Sequence, residues 1–516
     1  MVGCTKRSDK RAKVRFADPP WNEQSSEWQS LEEQVPEKHL ARSVVETMKQ
    51  LDLTPLFASY VGVGSLPIRP DLMLAIVLIE IRLGRPNPSQ WFRDARENIV
   101  LRWAGLGIQP SRTSWFNFAD RVASLIDRWN AEVLQLARQQ GVTQVKRCSL
   151  DGSTVAANAS RHRLLNETAV SQRLTELEGT CQADAIAQPP QNVPTWMAKT
   201  PATRQSQRQR YAHARRRLAE LHAVNNRQEP KRRRKPEKIV VSTSDPEAAL
   251  GRDKHNVFRP LYNLQLVRDL DSPLYLGYQV LAQPTDAGTF GPMLERVVNL
   301  TGVKPKVMLV DAGYITACNL AISDQAGMVL YGPWQENDMS RKEKKKTAKP
   351  RPIGKDQFTW VPEQNIYRCP EGHPLTWIGR CKRRQTDGQI NVVHSYRCAP
   401  QHCRTCHRQP SCCSNPNRGR AVKRSEHEVL VETHRARMAT SEAKKLYRLR
   451  RQTVELGFAD LKQHRSMRQF SGRGRFRAQR QIGLAVLVHN LLVVAYAKPP
   501  PYDTADNTLT TEKIKI

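Results

Sequence analysis

The sequence predicts an α/β protein in which helices come first and short β-rich runs, alternating with helices, follow. Three observations carry that expectation. Apolar residues recur at helical spacing up to about Gly141, the texture changes to brief apolar and β-branched runs from Thr143, and two basic segments interrupt this second part. A chain of 516 residues has room for about two to four domains. Its 82 Lys+Arg against 49 Asp+Glu leave a formal charge of +33. So one-sided an excess points to a polyanionic partner, nucleic acid first and an anionic membrane second.

Residues 1–35 are polar, basic and broken by proline, and are expected to be disordered. Helical signals follow. Leu40, Val44, Val45, Met48 and Leu51 share one helix face. DLMLAIVLIEIRLG reads as a buried helix closed by Gly84, and Pro88-Ser89 opens a short one. Ser114 is the expected N-cap of a long helix carrying Phe118, Val122, Leu125, Trp129, Val133 and Leu136. Residues 36–141 therefore make an all-α N-terminal domain.

The first β-rich runs are VKRCSLDGSTV, YNLQLVRDL and PLYLGYQVLAQP, followed by the helix GTFGPMLERVVNLTG. Then come the strand KVMLVDAGY, a helix from Thr316 and the strand MVLYGPW. Three strands, helix, strand, helix, strand is the order of an RNase H-like α/β core. Its first part is expected over 142–335, with a basic helical insertion over 161–240 containing TRQSQRQRYAHARRRLAELH and PKRRRKPEK. A second insertion, 336–440, opens with RKEKKKTAKPRP and carries a cysteine cluster. Residues 441–498 are expected to supply the C-terminal helical part of the core, and 499–516 a frayed tail. The apolar stretch from Ile482 is shorter than the ~20 residues a spanning helix needs and is broken by His489 and Asn490. It reads as a buried helix, and with no secretory signal at the start the expected setting is cytoplasmic, away from the membrane.

Three acids stand out. Asp151 and Asp311 each end a strand-like run, and in the expected sheet their strands lie side by side with both acids at one end. Glu455 lies on a charged helix where Arg448, Arg451, Glu455 and Lys462 fall on one face at 100° per residue, packed by Val454, Phe458 and Leu461. HRSMRQFSGRGRFRAQR then offers a Gly-containing, Arg-rich track, including Arg473 and Arg475, suited to a phosphate backbone. Hard carboxylates gather divalent metal, which is the chemistry of phosphoryl transfer.

These segments resemble the DDE transposases of bacterial insertion sequences, in the group with a long insertion before the last acid. LDGSTVAANAS resembles the block around the first catalytic Asp, VDAGY that of the second, and RQTVELGFADLK that of the Glu. The stretch from DPEA to LYNLQLVRD is similar to the second-strand block, and GRPNPSQWFRDARENIVLRW with SWFNF is similar to the helical domain that precedes such cores. The spacing Arg, three residues, Glu, six residues, Lys is met by Arg451, Glu455 and Lys462. The signature's Tyr, three positions before the Arg, is replaced by Arg448, with Tyr447 one place away.

The resemblance implies that Asp151, Asp311 and Glu455 are catalytic and hold Mg²⁺ or Mn²⁺, while Arg448, Arg451, Lys462, Arg473 and Arg475 contact DNA phosphates. It implies terminal inverted repeats and target DNA as partners, a homodimer on paired ends, and a nucleoid-associated protein when bound. Two other functions fit the same residues: an inactive descendant that binds DNA sequence-specifically, and an RNase H-like nuclease that cuts without joining.

Of eleven cysteines, seven crowd into Cys369–Cys413. Cys369, Cys398, Cys403, Cys406 and Cys412 offer enough thiolates for one tetrahedral zinc, bound by four of them, in a reducing compartment. Free thiols or redox bridges are the alternative, and the spacing does not choose among the five.

Overall fold

The computed structural model describes residues 14–61, 65–190, 192–334, 353–384 and 388–497. The extreme N-terminus, the basic run 341–352 and the tail from 498 lie outside the described residues.

Eight helices fill the first quarter of the chain among the described residues: α1 (Ser26–Gln34), α2 (Leu40–Met48), α3 (Thr54–Ala58), α4 (Pro70–Arg82), α5 (Pro88–Glu97), α6 (Ile99–Ala104), α7 (Arg112–Val122) and α8 (Ile126–Gln139). The first of them corrects the expectation of disorder up to residue 35. Leu31 and Val35 are buried, and Trp28 Nε1 donates to the Trp103 carbonyl at 3.1 Å. A few apolar residues in a polar stretch thus suffice to dock α1 on α6. The long helix expected from Ser114 is two helices. The N-cap is Ser111, whose Oγ accepts from the Ser114 amide at 3.1 Å, and the chain breaks between Val122 and Ile126. The apolar spacing runs on across that break, so periodicity alone joins the pieces.

The central sheet begins with β1 (Arg147–Ala156). An excursion follows, made of β2 (Leu164–Leu165), the helices α9 (Glu167–Ala185) and α10 (Pro201–Asn226), and β3 (Val241–Ser242), which pairs with β2. The two helices pack through Val170, Leu174, Tyr211 and Leu218 as a core of their own. The chain then forms β4 (Ala249–Arg252), β5 (Phe258–Asp269), β6 (Tyr275–Leu281), α11 (Phe290–Thr301), β7 (Val307–Leu309), α12 (Ala317–Gln325) and β8 (Val329–Tyr331). The order is β4-β5-β1-β7-β8, with β6 also on β5. β5 runs antiparallel to β1 and to β6, whereas β7 is parallel to β1 and β8 parallel to β7. This is the strand arrangement expected of an RNase H-like sheet.

Beyond it, β9 (Thr359–Val361), β10 (Ile366–Arg368), β11 (Pro374–Arg384), β12 (Ile390–Cys398) and β13 (Ala421–Ser425) form a separate antiparallel sheet. The short helices α13 (Pro400–Arg404) and α14 (Gln409–Cys412) lie between its last two strands, and Phe358, Tyr367, Leu375, Tyr396 and Val422 fill its small core. The chain finishes with α15 (Glu428–Ala439), α16 (Ser441–Gln452), α17 (Val454–Ala459) and α18 (Arg475–Tyr496).

The last helix ties the molecule together. It is long and apolar enough to cross a membrane, yet 83% of its apolar window is buried inside the fold. It packs on α2, α4 and α8 and on β6, so helices and sheet share one core. Its polar interruptions have a structural purpose. Asn490 accepts from the Tyr275 amide and donates to the Tyr275 carbonyl, both at 2.9 Å, while Gln479 Oε1 accepts from the Val280 amide at 2.7 Å. The open edge of β6 is thereby satisfied by side chains.

Candidate active site

Asp151 is the fifth residue of the ten in β1, not its end. The expected terminal position does not hold, because antiparallel pairing with β5 continues through Ala156. In the parallel pair with β7, Ser149 lies opposite Leu309. Continued by two residues, that register sets Asp151 beside Asp311, just past β7. Asp311 opens a tight turn: its Oδ1 accepts from the Gly313 amide, and its carbonyl from the Tyr314 amide at 3.1 Å.

A fourth acid, unmarked by any sequence pattern, joins them from the loop after β6. Asp286 Oδ1 accepts from Asn263 Nδ2 at 2.8 Å and from Gln265 Nε2 at 2.6 Å. Gln265 is in turn fixed by Tyr314, whose hydroxyl donates to its Oε1 at 2.6 Å. The space for Asp286 exists because position 152 is glycine. A Cβ there would come 1.9 Å from Asp286 Oδ1. The Asp151 carboxyl is pushed up to about 6, by burial first, with the negative charges of Asp311 and Asp286 adding to the rise and Arg450 opposing it.

The segment carrying Glu455 is not one continuous helix, which corrects the shared face expected for Arg448, Arg451, Glu455 and Lys462. α16 ends at Gln452, Thr453 breaks the helical path at φ −115° and ψ −92°, α17 is only six residues long, and Asp460–His464 form a π-helical turn. The break is anchored from the sheet. Arg268 Nη1 donates to the Thr453 carbonyl at 2.8 Å, and the Tyr275 hydroxyl donates to the Gly457 carbonyl at 3.0 Å.

One consequence is a shift in which arginine reaches the acids. Arg450, with its side chain 11% exposed, places Nη2 2.8 Å from Asp151 Oδ2 and Nη1 3.1 Å from Glu455 Oε1. Arg448 and Arg451 face solvent, as do Arg473 and Arg475. Tyr447 is on the inner side with Arg450: burial raises its hydroxyl, and Asp311, Asp151 and Glu455 all add to the rise. Sequence reasoning missed Arg450 because it counted back from Glu455 through an unbroken helix. Tyr447 and Arg450 are three residues apart, and that pairing was the available signal.

Lys462 meets the other end of the site. Its Nζ donates to Ser153 Oγ at 2.6 Å and to the Thr154 carbonyl at 2.9 Å. Burial holds its ammonium down at about 8, helped by Lys254, while Asp151 pulls the other way. Lys462 therefore clips the π-helical turn to the strand that bears Asp151.

The cysteines gather elsewhere. Cys369, Cys398, Cys403, Cys406 and Cys412 line one small cavity together with His373 and His402, and all five thiols are free. The Cys398 thiol is pushed up to about 12 by burial and by the neighbouring cysteines. Among the described residues, no group of three or more His, Cys, Asp or Glu stands in an arrangement that could hold a metal ion. At the acids, the Arg450 guanidinium bridges Asp151 and Glu455.

Residues 368–495, about a quarter of the chain, match the family model described as a transposase DDE domain. No curated protein matches the chain. The matched span contains Glu455, Arg450 and Lys462 but neither Asp151 nor Asp311.

Proposed function

We propose that this chain is an insertion-sequence transposase that binds the terminal inverted repeats of its element, cuts there, and joins the freed 3′ end to target DNA. The carrying observation is the convergence of Asp151, Asp311 and the Arg450–Glu455 pair over the central strands β1 and β7, in a chain of net charge +33.

Transposase DDE domains use divalent metal ions; the donor types here match one, while among the described residues the acids are not gathered as a metal-holding group, Arg450 standing between Asp151 and Glu455. Asp151, Asp311 and Glu455 offer only carboxylate oxygens, the donors a hard ion takes. Crowding of Asp151 by Asp311 and Asp286 favours a cation beside it. When bound by these three acids, Mg²⁺ or Mn²⁺ would supply activation of a nucleophilic oxygen and stabilisation of charge on the leaving oxygen.

The remaining roles belong to the chain itself. Arg450 holds Asp151 and Glu455 in register, and the same guanidinium has the planar fork that would take a DNA phosphate beside them. Lys462 fixes the Glu-bearing segment against β1 and sets a positive charge beside the strand. Arg448, Arg451, Arg473 and Arg475, on the surface, contribute phosphate contacts that give affinity without sequence choice. Two copies act on paired ends, in the cytoplasm and on the nucleoid. In the cysteine module, the five clustered thiols are the soft donors zinc selects, and four of them would hold a structural zinc by closing in from the arrangement they have here.

The test is incubation of the purified chain with Mg²⁺, labelled DNA bearing the ends of its element, and a target plasmid. Labelled DNA joined to the plasmid is expected. Cut but unjoined DNA would replace the proposal with the nuclease reading, and binding without cutting would replace it with the DNA-binding descendant.

A further inference from the structure

Away from the acids, a cleft of about 440 Å³ opens where α5 and α7 meet the loop before α18. Arg112, Phe116, Asn158, Arg473, Arg477 and Arg480 line it. That volume lies within the ~300–1,000 Å³ typical of sites that enclose a small molecule.

Its charge is unbalanced. Asp120 is the carboxylate partner of both Arg480, which is buried, and Arg477, the latter at 3.3 Å. Arg112 Nη2 donates only to a neutral group, Ser89 Oγ, at 3.2 Å. The exposed Arg473 side chain makes no hydrogen bond or ion pair among the described residues. Arg210, from the basic helix α10, faces it closely enough that Arg473 helps burial to hold the Arg210 guanidinium below its ordinary value. Guanidiniums set side by side without a carboxylate repel one another unless an anion joins them.

The loop is built to bring them together. A Cβ on Gly472 would come 2.7 Å from Arg477 Cβ, and Gly474 has φ +85°. The first amides of α18 already have carboxylate acceptors: Gly474 N donates to Asp245 Oδ2 at 3.1 Å and Arg475 N to Glu247 Oε2 at 2.6 Å. An incoming anion would therefore be held by the arginines and not by the helix end. Phe116 adds an apolar wall suited to a sugar or base.

The cleft also has a fixed relation to the acids. Asn158 follows β1, the strand of Asp151, and Ala156 of that strand bridges to Gln469 just before the arginine loop. At about 3.3 Å per strand residue the cleft lies roughly 20 Å from Asp151, on the order of six steps of B-form duplex.

We propose that this cleft anchors the DNA strand, taking one backbone phosphate on Arg112, Arg473 and Arg477 with its nucleoside against Phe116. The inference rests on the reading of the chain as a DNA transposase.

The experiment is salt-dependent binding of a mixed-sequence duplex by the full chain, by Arg473→Gln and by Arg112→Gln. A photocrosslinking benzoylphenylalanine placed at Phe116 is tested alongside. Arg473 is exposed and makes no side-chain hydrogen bond or ion pair among the described residues, so its loss leaves the fold intact. Each arginine variant is expected to reduce the slope of log affinity against log salt by about 1, and the probe at 116 to crosslink DNA. Wild-type slopes in both variants, with no crosslink, would overturn the anchor while DNA binding itself stood. A wild-type chain that bound no duplex at any salt would instead overturn the transposase reading, and the anchor with it.

Discussion

Arg450 reaches Asp151 with Nη2 2.8 Å from Oδ2, across the gap between the Glu-bearing segment and the strand at the centre of the sheet. Because the same guanidinium also meets Glu455, it sets the distance between two acids that no backbone hydrogen bond connects. Arg450→Lys retains the charge but not the planar fork that spans two carboxylates. Strand cleavage by Arg450→Lys and by Arg450→Gln is expected to fall on the order of 10²-fold, measured on labelled DNA. Full activity in the lysine variant would show that charge alone suffices there.

Gly152→Ala tests the packing around the fourth acid. The new methyl would overlap Asp286 Oδ1 and Gln265 Nε2, so the hydrogen-bonded cluster must open. Overpacking of this kind costs about 1–3 kcal/mol. The expected result is a lowered midpoint in urea together with lost cleavage. A variant with wild-type stability and activity would mean that Asp286 is free to move aside.

Much of this architecture is legible in the sequence, for identifiable reasons. The strands around Asp151 and Asp311 are apolar runs bounded by turn residues, and the helices between them repeat at regular spacing. The site's finer wiring is not legible. Thr453 breaks a segment whose apolar spacing continues unbroken, so a count from Glu455 lands on Arg451 when Arg450 is the contact. Asp286 sits in a loop, and its neighbours Asn263 and Gln265 belong to a strand that looks merely polar at alternate positions. Such contacts depend on tertiary placement, which periodicity does not record.

Glu80 gives the chain a pH-dependent stability. It is fully buried on α4, with Arg85 Nη1 3.5 Å away, and its carboxyl is pushed up to about 8 by burial first and by Asp94 second. The folded state thus holds this proton more tightly than the unfolded state, whose carboxyl is ordinary at 4.5. The contribution is fully present below pH 4.5 and is lost as pH rises through about 8. Every tenfold difference in proton affinity between the folded and unfolded chain corresponds to about 1.4 kcal/mol. Glu80→Gln is expected to flatten the stability profile between those limits, read by urea denaturation at several pH values. An identical slope in wild type and variant would contradict this.

The cysteine module yields a prediction of metal content. Chain purified without chelator is expected to carry zinc in elemental analysis, and Cys403→Ser, which removes a buried thiol of the cluster, to carry less. Metal-free protein with all the clustered thiols titratable would support free cysteines.

The most direct measurement compares wild type with Glu455→Gln on labelled DNA bearing the element's ends, in Mg²⁺, with products resolved as single strands. Cleavage and joining by wild type, with binding but neither product from Glu455→Gln, is the predicted result. Equal cleavage by both proteins would contradict the assignment of Glu455 to the reaction, and with it the account of this site.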